Sequence, residues 1–456
     1  MATYHPVARR LLTCGIAGLL SLAAGSALAS SFALIEQSVS GMGTAHAVGS
    51  SGIGDASTIF FNPAGMSRLP GSHLSGGIQV IYSQVDFEGG AAYSPITGPL
   101  AGTDIQGKAK TDTDLLAGVP SGYISHQYND RLWFGVGVNA PFGLETEYDD
   151  LWVGRYHAIK SELLTYNLNP SLAFKFTDHA TLGFGLSALY ADGELTNAAD
   201  VGLLATLDPD DPLPPIPGWI PGSSLYDSRV KLTGDDWGFG FNGGLLLEPT
   251  ENTRFGFHYR SKIELTLDGD AKVSGPVVNS KQKAKLDVTL PDSLSVSAYH
   301  ALNDQWAIMG DVTWTQWSRI SSLNTELADG SQSVAIWDYE DSTRYAIGAE
   351  YRRNQAWTLR TGLALDESPV PSSSLRSPRV PDEDRIWLTL GATYRHSKEL
   401  SFDFGYAHLF VDDPKLSGVP DNHDPTTGAP TGFHSLYGDY DASVDMLGVQ
   451  VNWKFR

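Results

Sequence analysis

Five ionisable side chains alternate along one short stretch of the chain and could bind an anionic ligand. They lie at even-numbered positions and are Arg254, His258, Arg260, Lys262 and Glu264. Side chains two residues apart share one face of a strand, so an extended chain would place all five on the same side. A ladder of salt bridges is the plainer interpretation of this face. A second interpretation is that Arg260 or Lys262 donates hydrogen bonds to the carboxylate of a ligand.

The other reactive residue types do not predict an enzyme or a metal site. The 12 histidines are scattered, and the sequence has no Gly-x-Ser-x-Gly turn that would present a serine nucleophile. The acidic runs at 208–211 and 421–424 lack the spacing of a calcium-binding loop. The only cysteine, Cys14, lies inside a predicted export signal. We therefore expect no catalytic residues, no metal ion and no cofactor.

Long alternating strands must hold the ionisable residues in place. From 164 to 176 every second residue is apolar, and the residues between them, from Thr165 to Lys175, are polar or small. Such a run is long enough for the roughly 9–11 residues that cross a bilayer as a tilted strand, whereas soluble strands average about 5–6. About fourteen segments of this kind follow one another from His73 to the C-terminus. They predict an all-β protein, a 14-stranded antiparallel transmembrane β-barrel.

The connections between these strands alternate in length. Short turns fall at positions such as 129–130, 177–179 and 303–304. Long segments separate them, around 88–118, 141–160, 192–228, 268–284, 318–342, 367–383 and 412–440. Outer-membrane barrels have short periplasmic turns and longer outer loops. The pattern therefore puts the long loops outside the cell, and we expect the face that carries Arg260 and Lys262 to line the lumen.

The N-terminus and the composition agree with export to an outer membrane. Residues 1–29 begin with Arg9 and Arg10, continue with an apolar run and end in Ala-Leu-Ala, which predicts a secretory signal peptide. Charged residues make up only 18% of the chain, below the roughly 25% of soluble proteins. The formal net charge of -21 argues against nucleic acid as a partner. We expect a protein of the Gram-negative outer membrane that contacts its lipid and, since nothing in the sequence demands an oligomer, is a monomer.

Residues 30–72 do not alternate and predict a plug inside the barrel. About fourteen strands enclose a lumen too wide for side chains alone to fill. The segment is rich in Gly, Ser and Ala, and residues such as Phe32 and Phe61 make it too apolar for a flexible arm in water. Asn62-Pro63 is a dipeptide that starts turns and would bend the chain before the first strand. We therefore divide the chain into a signal peptide (1–29), an N-terminal hatch (30–72) and a barrel (73–456).

One long loop, 201–226, carries many apolar residues for a segment that faces water. They include Val201, Leu203 and the pair Trp219 and Ile220, which lies among prolines. Exposed apolar patches of this kind mark ligand, partner or membrane contacts. One interpretation is that Trp219 and Ile220 are a landing surface for a hydrophobic ligand. The other is that the loop packs on itself above the mouth of the barrel.

Several short motifs follow one another along almost the whole chain after the signal. In the plug they are Ser40-Gly41-Met42-Gly43 and Asn62-Pro63-Ala64. In the barrel they include the segments 143–148, 237–242, 259–261, 290–292, 305–308 and 360–362. The most specific are Asp-Glu-Ser-Pro-Val-Pro at 366–371 and Pro-Asp-Glu-Asp-Arg at 381–385. In these motifs and their order the chain resembles the FadL/TodX (OMPP1) family of outer-membrane channels.

This resemblance implies a barrel closed by an N-terminal hatch and the passive uptake of hydrophobic molecules, foremost long-chain fatty acids. Aromatic or aliphatic hydrocarbons are the alternative ligands, and a barrel enzyme or a general porin is less favoured. By motif position the mobile aromatic residue is Phe32, and the kinked strand beside which ligand leaves holds Phe134 to Pro141. The family's pocket has basic residues where this chain has 194–197 and 335–336, so the residues that bind the head group stay open.

Overall fold

The computed structural model describes residues 31–207 and 220–455, so the predicted signal peptide at 1–29 lies outside the described residues. The described chain forms a closed antiparallel barrel with its N-terminal part inside. Within residues 31–207 and 220–455, no helix is both long enough and apolar enough to cross a bilayer.

Fourteen wall strands among the described residues build the barrel, which confirms the predicted fold class. The first strand closes on the last, from Ser72 opposite Phe455 to Tyr93 opposite His434. In chain order, the strands are β1 (Ser72–Tyr93), β2 (Lys110–Asp112), β3 (Leu115–Asn129), β4 (Leu132–Asn139), β5 (Gly143–Glu147), β6 (Lys160–Thr177), β7 (Ala180–Ala199), β8 (Ser228–Thr250), β9 (Thr253–Arg260), β10 (Ile263–Ser274), β11 (Asn279–Leu290), β12 (Ser293–Ala301), β13 (Trp306–Thr315), β14 (Ser322–Leu327), β15 (Gln332–Ile336), β16 (Ser342–Arg352), β17 (Trp357–Asp366), β18 (Arg385–Arg395), β19 (Leu400–Val411), β20 (Lys415–Pro420) and β21 (His434–Phe455). Three wall strands are each interrupted once and consist of β4 with β5, β9 with β10, and β11 with β12, whereas β2, β14, β15 and β20 belong to the outer loops.

The alternation in the sequence becomes an alternation of exposure. In β6 the side chains of Leu168, Leu172 and Phe174 are exposed on the outer face, and those of Asn167 and Asn169 are buried inside. This is the arrangement expected of strands with one lipid face and one interior face. Near the short turns, aromatic side chains of the wall pack against each other with tilted rings, among them Trp306 with Tyr351 and Trp357 with Tyr394.

The N-terminal residues ahead of β1 lie in the lumen. They form two short helices, α1 (Val39–Met42) and α2 (Thr58–Phe61), and two 3-10 turns, Gly49–Ser51 and Pro63–Arg68. Ser38 caps α1, because its Oγ accepts a hydrogen bond from the backbone of Gly41 at 3.1 Å. Apolar hatch residues are buried against the wall: Val39, Met42, Ile53, Ile59, Met66. The barrel is therefore filled by packed side chains rather than left as an open pore.

The prediction of a long loop at 268–284 is wrong. β10 and β11 form a hairpin that pairs from Ile263 opposite Leu290 to Ser274 opposite Asn279. Asp268, Asp270 and Lys283 point outward on this hairpin, and Lys283 lies 3.2 Å from Asp270. Because these outward positions are charged instead of apolar, the segment looks like a solvated loop in the sequence although its backbone is fully paired.

Candidate functional site

The start of the hatch is hydrogen-bonded to the interruption between β4 and β5. Leu34 N donates to Pro141 O at 2.8 Å, and Gly143 N donates to Phe32 O at 2.9 Å. Pro141 has no backbone N–H to offer a neighbouring strand, which explains why β4 ends two residues earlier at Asn139. The interrupted strand therefore takes residues 32–34 as its pairing partner. We call residues 31–35 the gate segment.

Phe32 of the gate segment belongs to a buried aromatic cluster. Its ring centroid lies 4.9 Å from that of Trp317, edge to face, and 6.2 Å from that of Phe142. Trp317 in turn packs edge to face against Tyr339. Phe32 lines one cavity of the barrel interior, whereas the next residues, 33–35, line a second cavity. The cluster thus forms a partition between two cavities.

The outer of these cavities is apolar, and we call it the apolar pocket. Its volume is about 80 Å³. Most of its lining consists of large aliphatic and aromatic side chains: Phe32, Leu144, Leu195, Leu232, Leu267, Trp337. These residues come from the gate segment, from β5, β7, β8 and β10, and from the segment after β15. Such a lining suits an alkyl chain or a ring, with few polar groups to fix its orientation.

A half-buried guanidinium, that of Arg379, also lines the apolar pocket. Within the described residues all its side-chain hydrogen bonds are donated by Nη1, to Ser161 Oγ at 3.0 Å and to two backbone oxygens, so Nε and Nη2 are unused. Burial lowers the pKa of Arg379 to about 10. No carboxylate of the described residues lies within ion-pair distance of it. An anionic ligand in this pocket would therefore give this guanidinium the charged partner that it lacks.

The apolar pocket continues toward the outer loops. A neighbouring cavity of about 90 Å³, which we call the outer cavity, shares Leu195, Trp337 and Arg379 with the apolar pocket and extends to His157. Burial lowers the pKa of His157 to about 4, so its imidazole is neutral at pH 7. Arg379 lies where the two cavities meet. A ligand that enters between the outer loops would reach this guanidinium before it reaches Phe32.

The Asn62-Pro63-Ala64 turn anchors the hatch to the wall. Asn62 Nδ2 donates to Leu245 O of β8 at 3.2 Å, and within the hatch it donates to Ser50 O at 2.7 Å while Asn62 Oδ1 accepts from Ala64 N at 3.0 Å. Pro63 begins the 3-10 turn that follows. The wall strand β8 comes so close that a Cβ added at Gly244 would lie 2.0 Å from Asn62 Oδ1. These three residues contact the barrel wall and do not line the apolar pocket.

The two ends of the strand predicted to be kinked have different surroundings. Phe134 is exposed on the outer face of β4, where its ring lies 6.1 Å from that of Tyr128. Pro141 is buried beside the gate segment and lines the cavity on the hatch side of the Phe32 cluster. The structure therefore brings Pro141 together with Phe32, but not Phe134.

The inner face predicted for positions 254 to 264 ends at Arg260. The buried members of the set are Arg254, His258 and Arg260. After the interruption at 261–262 the alternation is reversed, so Ile263 faces the interior and Lys262 faces outward. The side chain of Lys262 is 42% exposed and lies 2.6 Å from Glu264. The prediction that Lys262 and Glu264 line the lumen is wrong. The pairing with β8 shifts by one residue between Asn242 opposite Arg260 and Asp235 opposite Asp268, and a shift of one residue exchanges the two faces of a strand.

The apolar outer loop is partly described. Trp219 lies outside the described residues. The loop begins with α3 (Val201–Leu207), in which Leu203 is buried. Ile220 is 63% exposed, and Leu225 is exposed as well. The loop therefore buries one part of its apolar surface and presents another part to the outside.

Sequence reasoning missed Arg379, Trp317 and Trp337. None of the three lies in an alternating strand, so periodicity gives them no weight. The one local signal for Arg379 is a basic residue inside Ser-Pro-Arg-Val-Pro, next to a motif of high specificity. The family has basic pocket residues at the positions that correspond to 194–197 and 335–336 of this chain. Of these positions, the structure places Asn197 and Ala335 in the lining of the outer cavity, and neither residue carries a charge.

A family model described as outer membrane protein transport protein (OMPP1/FadL/TodX) matches residues 20–455 of the chain. The chain belongs to this family. The FadL/TodX family consists of outer-membrane transport proteins rather than enzymes, and the protein is accordingly an outer-membrane β-barrel.

Individual relatives align with this chain over most of their length. Outer membrane protein P1 of Haemophilus influenzae (strain Rd) is 32% identical to this chain over an alignment of 464 positions, gaps included. The alignment covers 96% of this chain and 98% of the relative. The long-chain fatty acid transport protein of Escherichia coli O6:H1 is 32% identical over 410 residues, covering 86% and 89%. A crystal structure of a Pseudomonas aeruginosa FadL homologue superimposes with a TM-score of 0.81 at 25% identity, covering 93% of this chain and 100% of that one.

Proposed function

We propose that this FadL/TodX family protein takes up long-chain fatty acids across the outer membrane without an energy source of its own. The observation that carries the proposal is Arg379, a half-buried cation without a carboxylate at ion-pair distance, at the side of an apolar pocket. A fatty acid combines the two features that such a site selects, an alkyl chain and a carboxylate.

Capture is proposed to begin on the outer loops. Ile220 and Leu225 present exposed apolar side chains there. Trp219 directly precedes Ile220 in the sequence and is proposed to belong to the same capture surface. A ligand held on this surface would move into the outer cavity and then past Arg379. Its chain would lie in the apolar pocket, in contact with Phe32.

Gating is proposed to occur where the gate segment meets the interrupted strand. Ligand in the apolar pocket would displace Phe32 and break the two hydrogen bonds that join residues 32–34 to Pro141 and Gly143. The backbone hydrogen bonding between neighbouring wall strands is incomplete at this place. Among the described residues, 115–121 of β3 pair with β1 alone, and β5 pairs with β6 alone, so no ladder joins β3 to β5. We propose that ligand leaves through this gap.

Neutral hydrocarbons are the alternative ligands. The lining of the apolar pocket favours them, since most of its side chains offer no hydrogen bond. They would leave the guanidinium of Arg379 without a partner, which is why we rank them second. The monomeric state remains a prediction from the sequence.

Substitution of Arg379 separates the two ligand classes. We expect Arg379→Gln to weaken binding of oleate to the purified barrel about tenfold or more, the effect of losing a charge-assisted hydrogen bond, and to leave oleyl alcohol unaffected. Lys283→Gln is the matched control, since it removes one positive charge from the outer wall of the same protein. Equal loss for acid and alcohol, or no loss for either, would contradict the role of Arg379.

A further inference from the structure

The second cavity lies on the hatch side of the Phe32 cluster, and we call it the inner chamber. Its volume is about 130 Å³. The gate segment, α2 and Pro141 form part of its lining. The wall contributes polar side chains from β9, β12, β13 and β16, among them Arg260, Ser295, Asp311, Thr313 and Arg344. Unlike the apolar pocket, this space is surrounded by hydrogen-bonding groups.

Arg344 is a buried cation of the inner chamber that uses only a small part of its hydrogen-bonding capacity. It is 6% exposed, its Nη2 donates to Ala45 O at 2.8 Å, and its guanidinium lies 4.9 Å from the Trp387 ring. Within the described residues its Nε and Nη1 have no hydrogen-bond partner. Buried N–H groups almost always have a partner, so these two nitrogens point to a ligand or to water in the chamber.

The acidic residues around the chamber do not supply that partner. Asp311 accepts hydrogen bonds from Ser295, Ser297 and Thr313, each at 2.7 Å. Among the described residues no carboxylate comes within 4 Å of the Arg344 guanidinium, and this includes Asp311 and Asp366, which both line the chamber. Arg260, whose Nη2 donates to Phe60 O at 2.8 Å, adds a second positive charge to the lining.

We propose that the inner chamber is a second binding site for the carboxylate of the transported ligand, with Arg344 as its hydrogen-bond donor and Arg260 as a second cation. The inference rests on the proposed uptake of fatty acids. The carboxylate would leave Arg379 when Phe32 moves and would bind Arg344 next. Pro141 and Phe142 also line the chamber, so the bound head group would lie beside the gap in the wall. Two cations on either side of the partition would keep the charged group paired during the passage.

Photo-labelling of the full-length barrel tests this inference. The probe is a long-chain fatty acid with a diazirine next to the carboxylate, and the labelled residues are identified by mass spectrometry. We expect labels in the apolar pocket and also in the inner chamber, for example on Phe61 or Ser342. The corresponding fatty alcohol should label the pocket as well as the acid does and the chamber far less.

Arg344→Gln should reduce the chamber labels about tenfold or more and leave the pocket labels unchanged. Arg254→Gln is the matched control, because Arg254 also donates to a hatch carbonyl, Ser51 O at 3.0 Å, and lies over an aromatic ring, but does not line the chamber. Arg344→Lys keeps the charge and should keep the labels.

Two results would overturn the inference in different ways. Labels in the pocket but none in the chamber of the unmodified protein would reject the second site and leave the proposed uptake intact. Labels in neither cavity would reject both. The unmodified protein decides between these results, so the test does not depend on the assembly of a variant. Chamber labels that persist in Arg344→Gln would reject the role given to Arg344.

Discussion

At Gly183 the barrel wall lies so close to the hatch that a side chain at this position would not fit between them. A Cβ at this position would lie 2.2 Å from the backbone nitrogen of Ala64 and 2.6 Å from the carbonyl carbon of Pro63. Backbone atoms cannot turn aside as the end of a flexible side chain can. Glycine here lets the Asn62-Pro63-Ala64 turn lie directly on β7, and the turn holds the hatch in place through this contact.

Gly183→Ala should therefore loosen the hatch. We expect the overpacking to cost about 1–3 kcal/mol and to shift the turn away from the wall. The measurable result is ion conductance in a planar bilayer above that of the unmodified protein. Gly243→Ala is the control, since the nearest heavy atom to its Cβ would be Gly183 O at 4.0 Å. Equal conductance of the two variants would show that this contact does not hold the hatch.

Residues differ in how far the sequence reveals their role. Phe32 and Pro141 were found by motif position, and the structure brings them together at the gate segment. Lys262 was assigned to the lumen because alternation was continued across Ser261, where the strand is in fact interrupted. Arg379 gave only a weak local signal, because its importance comes from its place beside the apolar pocket and from the absence of a nearby carboxylate. Both of these properties depend on other parts of the chain.

At the scale of elements, the gate segment and the interrupted strand form one unit. Ala33 and Phe142 are partners in an antiparallel bridge whose hydrogen bonds are made by the residues on either side of them. Cα atoms of such a non-hydrogen-bonded pair lie about 4.5 Å apart, within the range that a disulfide spans. A covalent link at this pair would hold the gate segment against the strand.

The double variant Ala33→Cys with Phe142→Cys should therefore stop uptake when oxidised. We expect uptake of radiolabelled oleate by cells to fall to the level of a strain without the channel, and to return when a reductant breaks the disulfide. The only natural cysteine, Cys14, lies in the predicted signal peptide and should not interfere. Each single cysteine variant serves as a control. Normal uptake by the oxidised double variant would reject gating by movement of this segment.

The interruptions of wall strands were not equally predictable. The one after β4 has a proline and two nearby glycines, and the sequence indicates it. The one between β9 and β10 falls at Ser261 and Lys262, which fit an alternating strand as well as any other residues. There the neighbouring strand decides, because β8 pairs with β9 in one register and with β10 in another.

At the scale of the whole molecule, the wall and the hatch are separate structures. The wall closes through a ladder between β1 and β21 that runs the full length of both strands, from Ser72 and Phe455 onward. The hatch packs against the inside of this wall with Val39 and Met42, which lie close to Gly405 and Gly448. The barrel should therefore assemble without the first part of the hatch.

Removal of residues 31–43 should leave a folded barrel that leaks small solutes. Folding is checked by the shift in gel mobility on heating, and leakage by conductance in a planar bilayer. The Asn62-Pro63-Ala64 turn remains in this variant, so the rest of the hatch keeps its anchor. A truncated barrel that stays closed to ions would mean that the remaining hatch or the outer loops block the lumen.

The sequence by itself determined the class of the protein, because that information is local. An alternation of period two reveals which strands have a lipid face, loop lengths reveal which end is outside, and a segment without period reveals the hatch. The tertiary structure alone decided the site. The apolar pocket joins Phe32 near the N-terminus, Leu267 in the middle and Arg379 near the C-terminus. Such contacts arise only when the barrel closes, since closure brings strands far apart in sequence around one interior.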